Sequence, residues 1–423
     1  MPTSNHREQI IAAVDALAGE TADRLQELVR IPSVTGQEYD VQQAVSRQMA
    51  TVGLTIDQWE PDVAQLEPYF EDVGVFESLV GRPNVVGTLT GSGGGRSLIL
   101  CAHIDTVEAG DHSQWSVDPF GAEIRDGLMY GRGTCDMKAG LVAELIALRA
   151  LQDVGIRLRG NVYVESVISE EDGGAGALAT ILRGYRADGV IITEPTQLSV
   201  ITAHGGSLVF RITISGRAAH ACVRNEGVSA IEKFIPIHAA LLDLEMEHHR
   251  AITHPLFADF INRAPINIGV IRGGNWASSV PESIVIEGRA GLVPGETLDE
   301  TRTALLAAIA GVVGDDPWLQ DHPPVVEWFS GQFTASETPI DSPLVQELAH
   351  AITHVTGMTP PCEGVTYGAD MRHYVNVGQM PCVMFGAGNV DRAHRPDEFV
   401  PMDQVQQVAK ALALFAAEWC ATP

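Results

Sequence analysis

A set of side chains in this sequence has the types and spacing for metal chemistry. His103 and Asp105 follow the apolar run SLILCA, and Asp136 sits in GRGTCDMKAG. Glu170 and Glu171 stand together in ISEEDGG, Glu194 lies in ITEPT, and His394 lies in FGAGNVDRAHRPDEFV. Imidazole and carboxylate donors suit zinc or a similar first-row divalent ion, and there are enough here for two ions. Such a pair lowers the pKa of a water and polarises a carbonyl. A carboxylate that is not a ligand must then take the water's proton, and Glu170, one residue from a candidate ligand, is placed for that task. His103 and Asp105 share a side if their strand continues, which suits an imidazole ligand and the carboxylate that orients it. Each residue also has a plainer reading. HxD can be a satisfied polar pair, Asp136 a helix N-cap, and Glu170–Glu171 a solvated surface. Their joint occurrence favours the metal reading, since several required roles are filled at once.

These residues need a frame that gathers strand ends. Short apolar, β-branched runs predict strands over 84–89, 97–102, 161–169 and 189–193. Apolar residues at helical spacing mark 9–29, 41–52 and 137–151, and 173–182 is a further helix candidate. The alternation predicts an α/β layer: a mostly parallel sheet with helices on both faces. The acidic stretch 62–81 reads as an irregular surface insertion. After Glu194-Pro195 the character changes. Strands over 204–216, 267–271, 283–288 and 324–328, with helices over 230–248 and 298–313, predict an inserted α+β sandwich. A helix over 343–355, a strand over 382–385 and a helix over 402–417 return to the first layer. The expected division is 1–201 and 330–423 for the catalytic domain, and 202–329 for the insertion.

The motifs AHIDTV, GRGTCDMKAG, SEED, TEPT and AHRPDEFV, in that order, carry a family resemblance. The sequence resembles the dinuclear zinc amidohydrolases and peptidases, among them acetylornithine deacetylase, succinyl-diaminopimelate desuccinylase, aminoacylase-1 and the glutamate carboxypeptidases. The match runs over roughly 8–420 and looks like the acetylornithine deacetylase branch. It implies that His103 binds one ion with Asp105 behind it, and that Asp136 bridges both ions. It implies Glu194 as the second ligand of the His103 ion, Glu171 and His394 as ligands of the other, and Glu170 as general base. The ions would be zinc, or else cobalt or manganese. The segment 202–329 would be a lid and dimerisation domain, making the protein a homodimer. GRAAHA (216–221) matches a lid motif whose histidine, here His220, reaches the substrate carbonyl, in many members across the dimer.

Two positions depart from the family pattern. Ser279 stands where many members carry Asn, and Gly291 where many carry an Arg that holds a substrate carboxylate. Arg289, Arg372, Asp370 and Ser279 are the remaining candidates for contact with substrate. The implied reaction is hydrolysis of the amide bond of a small N-acyl amino acid or N-acyl amine. A di-, amino- or carboxypeptidase on the same scaffold is the main alternative. A non-catalytic metal-retaining binder is the other, against which the intact Glu170 argues. No GxSxG marks a serine nucleophile.

Composition narrows the partners. Lys+Arg number 27 against 54 Asp+Glu, a formal charge of −27, which repels nucleic acid and anionic membranes. With 45% hydrophobic residues over 423 positions, the chain can bury a sizeable core. Six cysteines without CxxC spacing, and a start without basic and apolar leader segments, predict a reduced cytoplasmic protein.

Overall fold

The computed structural model describes residues 4–421; the first three residues, on which the expectation of no leader partly rests, lie outside them. One sheet of nine strands runs in the order Thr55–Trp59, Asn84–Leu89, Val162–Val167, Leu98–His103, Val190–Ile192, Cys382–Met384, Val200–His204 and Ser336–Glu337, with Cys362–Val365 also paired to Val200–His204. Its centre, Val162–Val167 through Cys382–Met384, is parallel, and antiparallel strands flank it. Leu98 to Ile104 are all buried, the lack of alternation expected of a strand covered on both faces. Helices supply that cover. Glu165 and Ser166 point to opposite faces of their strand. Glu165 meets Thr180 of the helix Ala175–Arg183, and Ser166 meets Gln42 of the helix Tyr39–Thr51. The helices Ser4–Ala16, Ala139–Asp153, Pro343–Thr356 and Met402–Trp419 pack against one another, and Ala139–Asp153 also lies on the strands Leu98–His103 and Val162–Val167.

A separate antiparallel sheet has the order Ile266–Gly273, Ser283–Leu292, Gly206–Ser215, Val325–Trp328. Alternate residues Leu208, Phe210, Ile212 and Ile214 face a core shared with the helices Ala230–Ala251 and Leu298–Asp315. A single strand over 204–216 was the expectation; the chain instead changes sheets at Gly205-Gly206. A Cβ on Gly206 would lie 2.3 Å from the Phe333 carbonyl oxygen, so glycine permits the crossing.

Other expectations need correction. The 9–29 pattern is two helices, Ser4–Ala16 and Ala18–Val29, broken at Leu17. The 62–81 stretch is not merely a surface insertion. Its short helical turns Val63–Leu66 and Phe70–Val73 bury Leu66 and Val73, and Leu79 beyond them is buried too. The strand Thr55–Trp59 and the hairpin Glu123–Arg125/Leu128–Tyr130, which also pairs with Phe399–Pro401, had no counterpart in the sequence reading. Among the described residues no helix is long and apolar enough to cross a membrane, and all six cysteines are free.

Candidate metal centre

Along one edge of the large sheet, the carboxyl ends of neighbouring parallel strands converge. His103 ends Leu98–His103, Glu170 and Glu171 follow Val162–Val167, and Glu194 follows Val190–Ile192. Open parallel sheets bind ligands at this edge. The next parallel strand, Cys382–Met384, leads toward the loop that carries His394 at φ 58°. Asp136 comes from the tight turn Thr134–Lys138 before the helix Ala139–Asp153.

The side chains form two groups around one carboxylate. His103 Nε2 is 2.8 Å from Asp136 Oδ1 and 3.8 Å from Glu194 Oε1. His394 Nε2 is 3.3 Å from Asp136 Oδ2 and 3.0 Å from Glu171 Oε1. Each Asp136 oxygen therefore faces a different imidazole. In His103–Asp136–Glu194 and in Asp136–Glu171–His394, one ligand atom from every member lies within 4.8 Å of the others. Mixed N/O donors in two triads with a shared carboxylate fit two first-row divalent cations.

Electrostatics support the fit, because the carboxylates outnumber the imidazoles. Burial, and then the neighbouring charges of Asp136, Asp370 and Glu171, outweigh the attraction of His103 and push Glu194 up to about 8. Burial, followed by the carboxylates of Asp370, Glu194 and Glu171, drives Glu170 well above the usual range. Burial works against the charged form of His103 too, yet its bond to Asp136 and the nearby Glu194 hold it well above normal. Bonds to Asp136 and Glu171 raise His394 to about 10. Cations between these groups would relieve the repulsion.

The supporting contacts differ from expectation at Asp105. His103 Nδ1–H donates to the backbone carbonyl of Asp105 at 2.9 Å, and the Asp105 carboxylate is 3.7 Å away. That carboxylate accepts instead from the backbone N–H of Glu170 (3.1 Å) and of Glu171 (3.2 Å), and from Thr35 Oγ1 (3.0 Å). It fixes the loop that presents both glutamates. The same loop is held by Arg82, bidentate to buried Glu38 and 3.9 Å from Asp172. Lys138 Nζ donates to the carbonyls of Leu28 and Ile31, and burial lowers its pKa to about 7. Glu398 accepts from the N–H of Cys135 and Asp136 and pairs with Arg132. Sequence reasoning passed over Glu398 and Arg132, although both stand inside the quoted motifs; a charged residue within a ligand motif was the available signal. Cys135 joins no ligand group and packs with Sγ donating to the Asn389 carbonyl.

Of the candidates for substrate contact, Asp370 and Arg372 lie within charge reach of Glu170, and Arg289 and Ser279 lie on the inserted segment. Arg372 is only 2% exposed and donates to the carbonyls of Gly173 (2.7 Å) and Ala369 (3.0 Å). Through the Gly173 carbonyl it braces the glutamate loop. Asp370 is buried with neither carboxylate oxygen hydrogen-bonded, and a Cβ on Gly174 would lie 2.2 Å from its Oδ1. Arg289 is half-buried on the strand Ser283–Leu292, its Nε without a partner. His220 and Ser279 meet each other across an antiparallel bridge, on an exposed edge. His220 Nδ1 is 2.9 Å from Cys222 Sγ, and it belongs to neither ligand group.

The profile of peptidase family M20/M25/M40 matches residues 99–418. The chain is 30% identical to N-formyl-4-amino-5-aminomethyl-2-methylpyrimidine deformylase of Halalkalibacterium halodurans, over 98% of this chain and 97% of that protein. It is 29% identical to acetylornithine deacetylase of Proteus mirabilis, over 80% and 83% of the two chains. A dipeptidase from Saccharomyces cerevisiae has the same fold, with a TM-score of 0.76 at 15% identity and complete coverage of both chains. With the motifs, the two triads and these likenesses in agreement, the chain belongs to peptidase family M20/M25/M40 and is a hydrolase of C–N amide bonds.

Proposed function

We propose that this enzyme removes a small acyl group from an N-acyl amine or N-acyl amino acid, using two divalent ions, most simply zinc. The observation that carries the reading is the shared carboxylate: Asp136 faces both imidazoles, with Glu170 beside the triads but in neither. Two relatives named for deformylation and deacetylation support an acyl-transferring substrate class. When bound, the ions supply Lewis acidity and a water of lowered pKa. The chain's own residues do the rest. Glu170 takes the proton of the attacking water and returns it to the leaving nitrogen. Asp105, through the amides of Glu170 and Glu171, keeps that base and its neighbouring ligand in place. His103 and Glu194 would hold one ion, Glu171 and His394 the other, and Asp136 both.

The segment 202–329 is proposed as a lid through which two copies pair. Its helix Ala230–Ala251 exposes Ile231, Ile235, Leu242 and Met246, whose spacing places them on one face, and its edge strand Ile266–Gly273 has an open side. Exposed His220 would then serve the neighbouring site as an oxyanion donor. Free cysteines accord with a reduced, cytoplasmic setting.

The test is turnover of N-formyl, N-acetyl, N-succinyl and longer N-acyl amines and amino acids beside dipeptides, before and after chelation and zinc or cobalt add-back. Acyl substrates cleaved only with metal support the proposal. Cleavage of dipeptides alone would make the enzyme a peptidase. Glu170→Gln should keep its metal and lose about 10²- to 10⁴-fold in turnover; near-normal turnover would remove Glu170 from the role.

A further inference from the structure

Asp136 must hold each of its oxygens toward a different imidazole, so the backbone that carries it must be fixed. One side chain does much of this. Glu398 Oε1 accepts from Asp136 N–H at 3.2 Å and from Cys135 N–H at 2.9 Å. Its other oxygen lies 2.5 Å from Arg132 Nη1. Both side chains are buried, and the Arg132 guanidinium sits 5.3 Å from the Trp115 ring centroid. The Glu398 backbone is tied in as well, its carbonyl accepting from Gly131 N–H at 2.9 Å. The following strand Phe399–Pro401 pairs with Leu128–Tyr130. Glu398 stands four residues after His394. A single carboxylate thus links the backbone of the shared ligand to the loop that supplies the terminal imidazole.

We propose that Glu398 is a positioning residue of the metal centre, acting chiefly on the site formed by Asp136, Glu171 and His394. The inference rests on the two-ion reading above. The other site draws His103 from a strand and Glu194 from just beyond one, so the sheet itself places them. Glu171 and His394 both come from loops, and the spacing of His394 from Asp136 passes through Glu398. Outer partners of this kind set ligand orientation, and their loss typically costs about 10- to 100-fold in metal affinity.

The experiment is zinc titration of the full chain against graded metal buffers, reading ions bound per chain, with thermal unfolding of the metal-free protein alongside. Glu398→Gln can still offer one oxygen to the two amides, but its NH2 then faces the Arg132 guanidinium, donor against donor. The wild type should bind two ions. Glu398→Gln should lose about 10- to 100-fold affinity at one site and keep the other. Adding Arg132→Gln, which restores an acceptor, should recover part of the loss. If Glu398→Gln does not fold, Glu398→Asp, too short to reach both Arg132 and the amides, should show the same one-site loss. Two wild-type affinities with only a lower unfolding temperature would make Glu398 a plain structural buttress and overturn the proposal, as would equal weakening of both sites. Fewer than two ions on the wild type would overturn the two-ion reading and this inference with it.

Discussion

Residues of the centre divide by how their roles are written into the chain. The ligands were legible because chemistry prescribes their types and all but His394, which lies in a loop, stand at or just beyond a strand end or helix start, where local pattern marks the boundary. Their supports were not, because a partner's identity is settled by tertiary contact. Arg132 and Glu398 meet across 266 positions, and Arg372 reaches Gly173 across 199. Arg372 reads differently once its surroundings are in view. As sequence it suits a substrate carboxylate; folded, it is a buried donor to carbonyls behind the glutamate loop. Arg372→Met should therefore leave the buried Gly173 carbonyl short of a donor, at about 1–3 kcal/mol, while the Ala369 carbonyl keeps the backbone N–H of residue 372. Denaturant unfolding should report that loss. The preference of the enzyme between a carboxylate-bearing substrate and its uncharged analogue should stay where it was. A preference shifted more than tenfold against the carboxylate would return Arg372 to a substrate role.

Elements were legible where periodicity is strong and burial two-sided, as in Leu98–His103 and Ala139–Asp153. They were missed where an element exists only through its partner. Thr55–Trp59 has polar Thr55, Asp57 and Gln58, and is a strand because Asn84–Leu89 offers an open edge. The 62–81 stretch looked irregular because its buried Leu66, Val73 and Leu79 are too widely spaced to form a pattern. At this scale the exposed face of Ala230–Ala251 makes a clear demand. Isolated apolar residues on a surface need no explanation, but a stripe along one helix beside an open strand does. Ile235 is 60% exposed, so Ile235→Glu should cost the folded chain little. In the proposed dimer, however, it would bury an unpaired charge. Light scattering should show a dimer for the wild type and mostly monomer for Ile235→Glu. A monomeric wild type, or an unaffected variant, would clear that face of the role.

For the molecule as a whole, a buried acid outside both ligand groups sets a pH limit. Glu165 lies in the middle of the large sheet, accepting from Tyr374 OH at 2.6 Å and Thr180 Oγ1 at 3.0 Å through one oxygen, while the other has no partner. Burial, against those two hydrogen bonds, raises its pKa from 4.5 to about 7. Below pH 4.5 both folded and unfolded chains hold this proton. Between there and about 7 the unfolded chain releases it and the native chain does not, so stability falls as pH rises through that window. Above it the native state carries a buried, half-satisfied charge. The whole loss is on the order of 3 kcal/mol. Glu165→Gln keeps an acceptor for Tyr374 and Thr180 and cannot ionise. Its unfolding midpoint relative to the wild type should accordingly rise from pH 5 to pH 8. Because each comparison is made at one pH, the other titrating groups, including those of the metal centre, cancel between the two proteins. A difference that stays flat between the two pH values would mean that Glu165 is already ionised in the native state at pH 5, with Tyr374 and Thr180 sufficing to hold its charge.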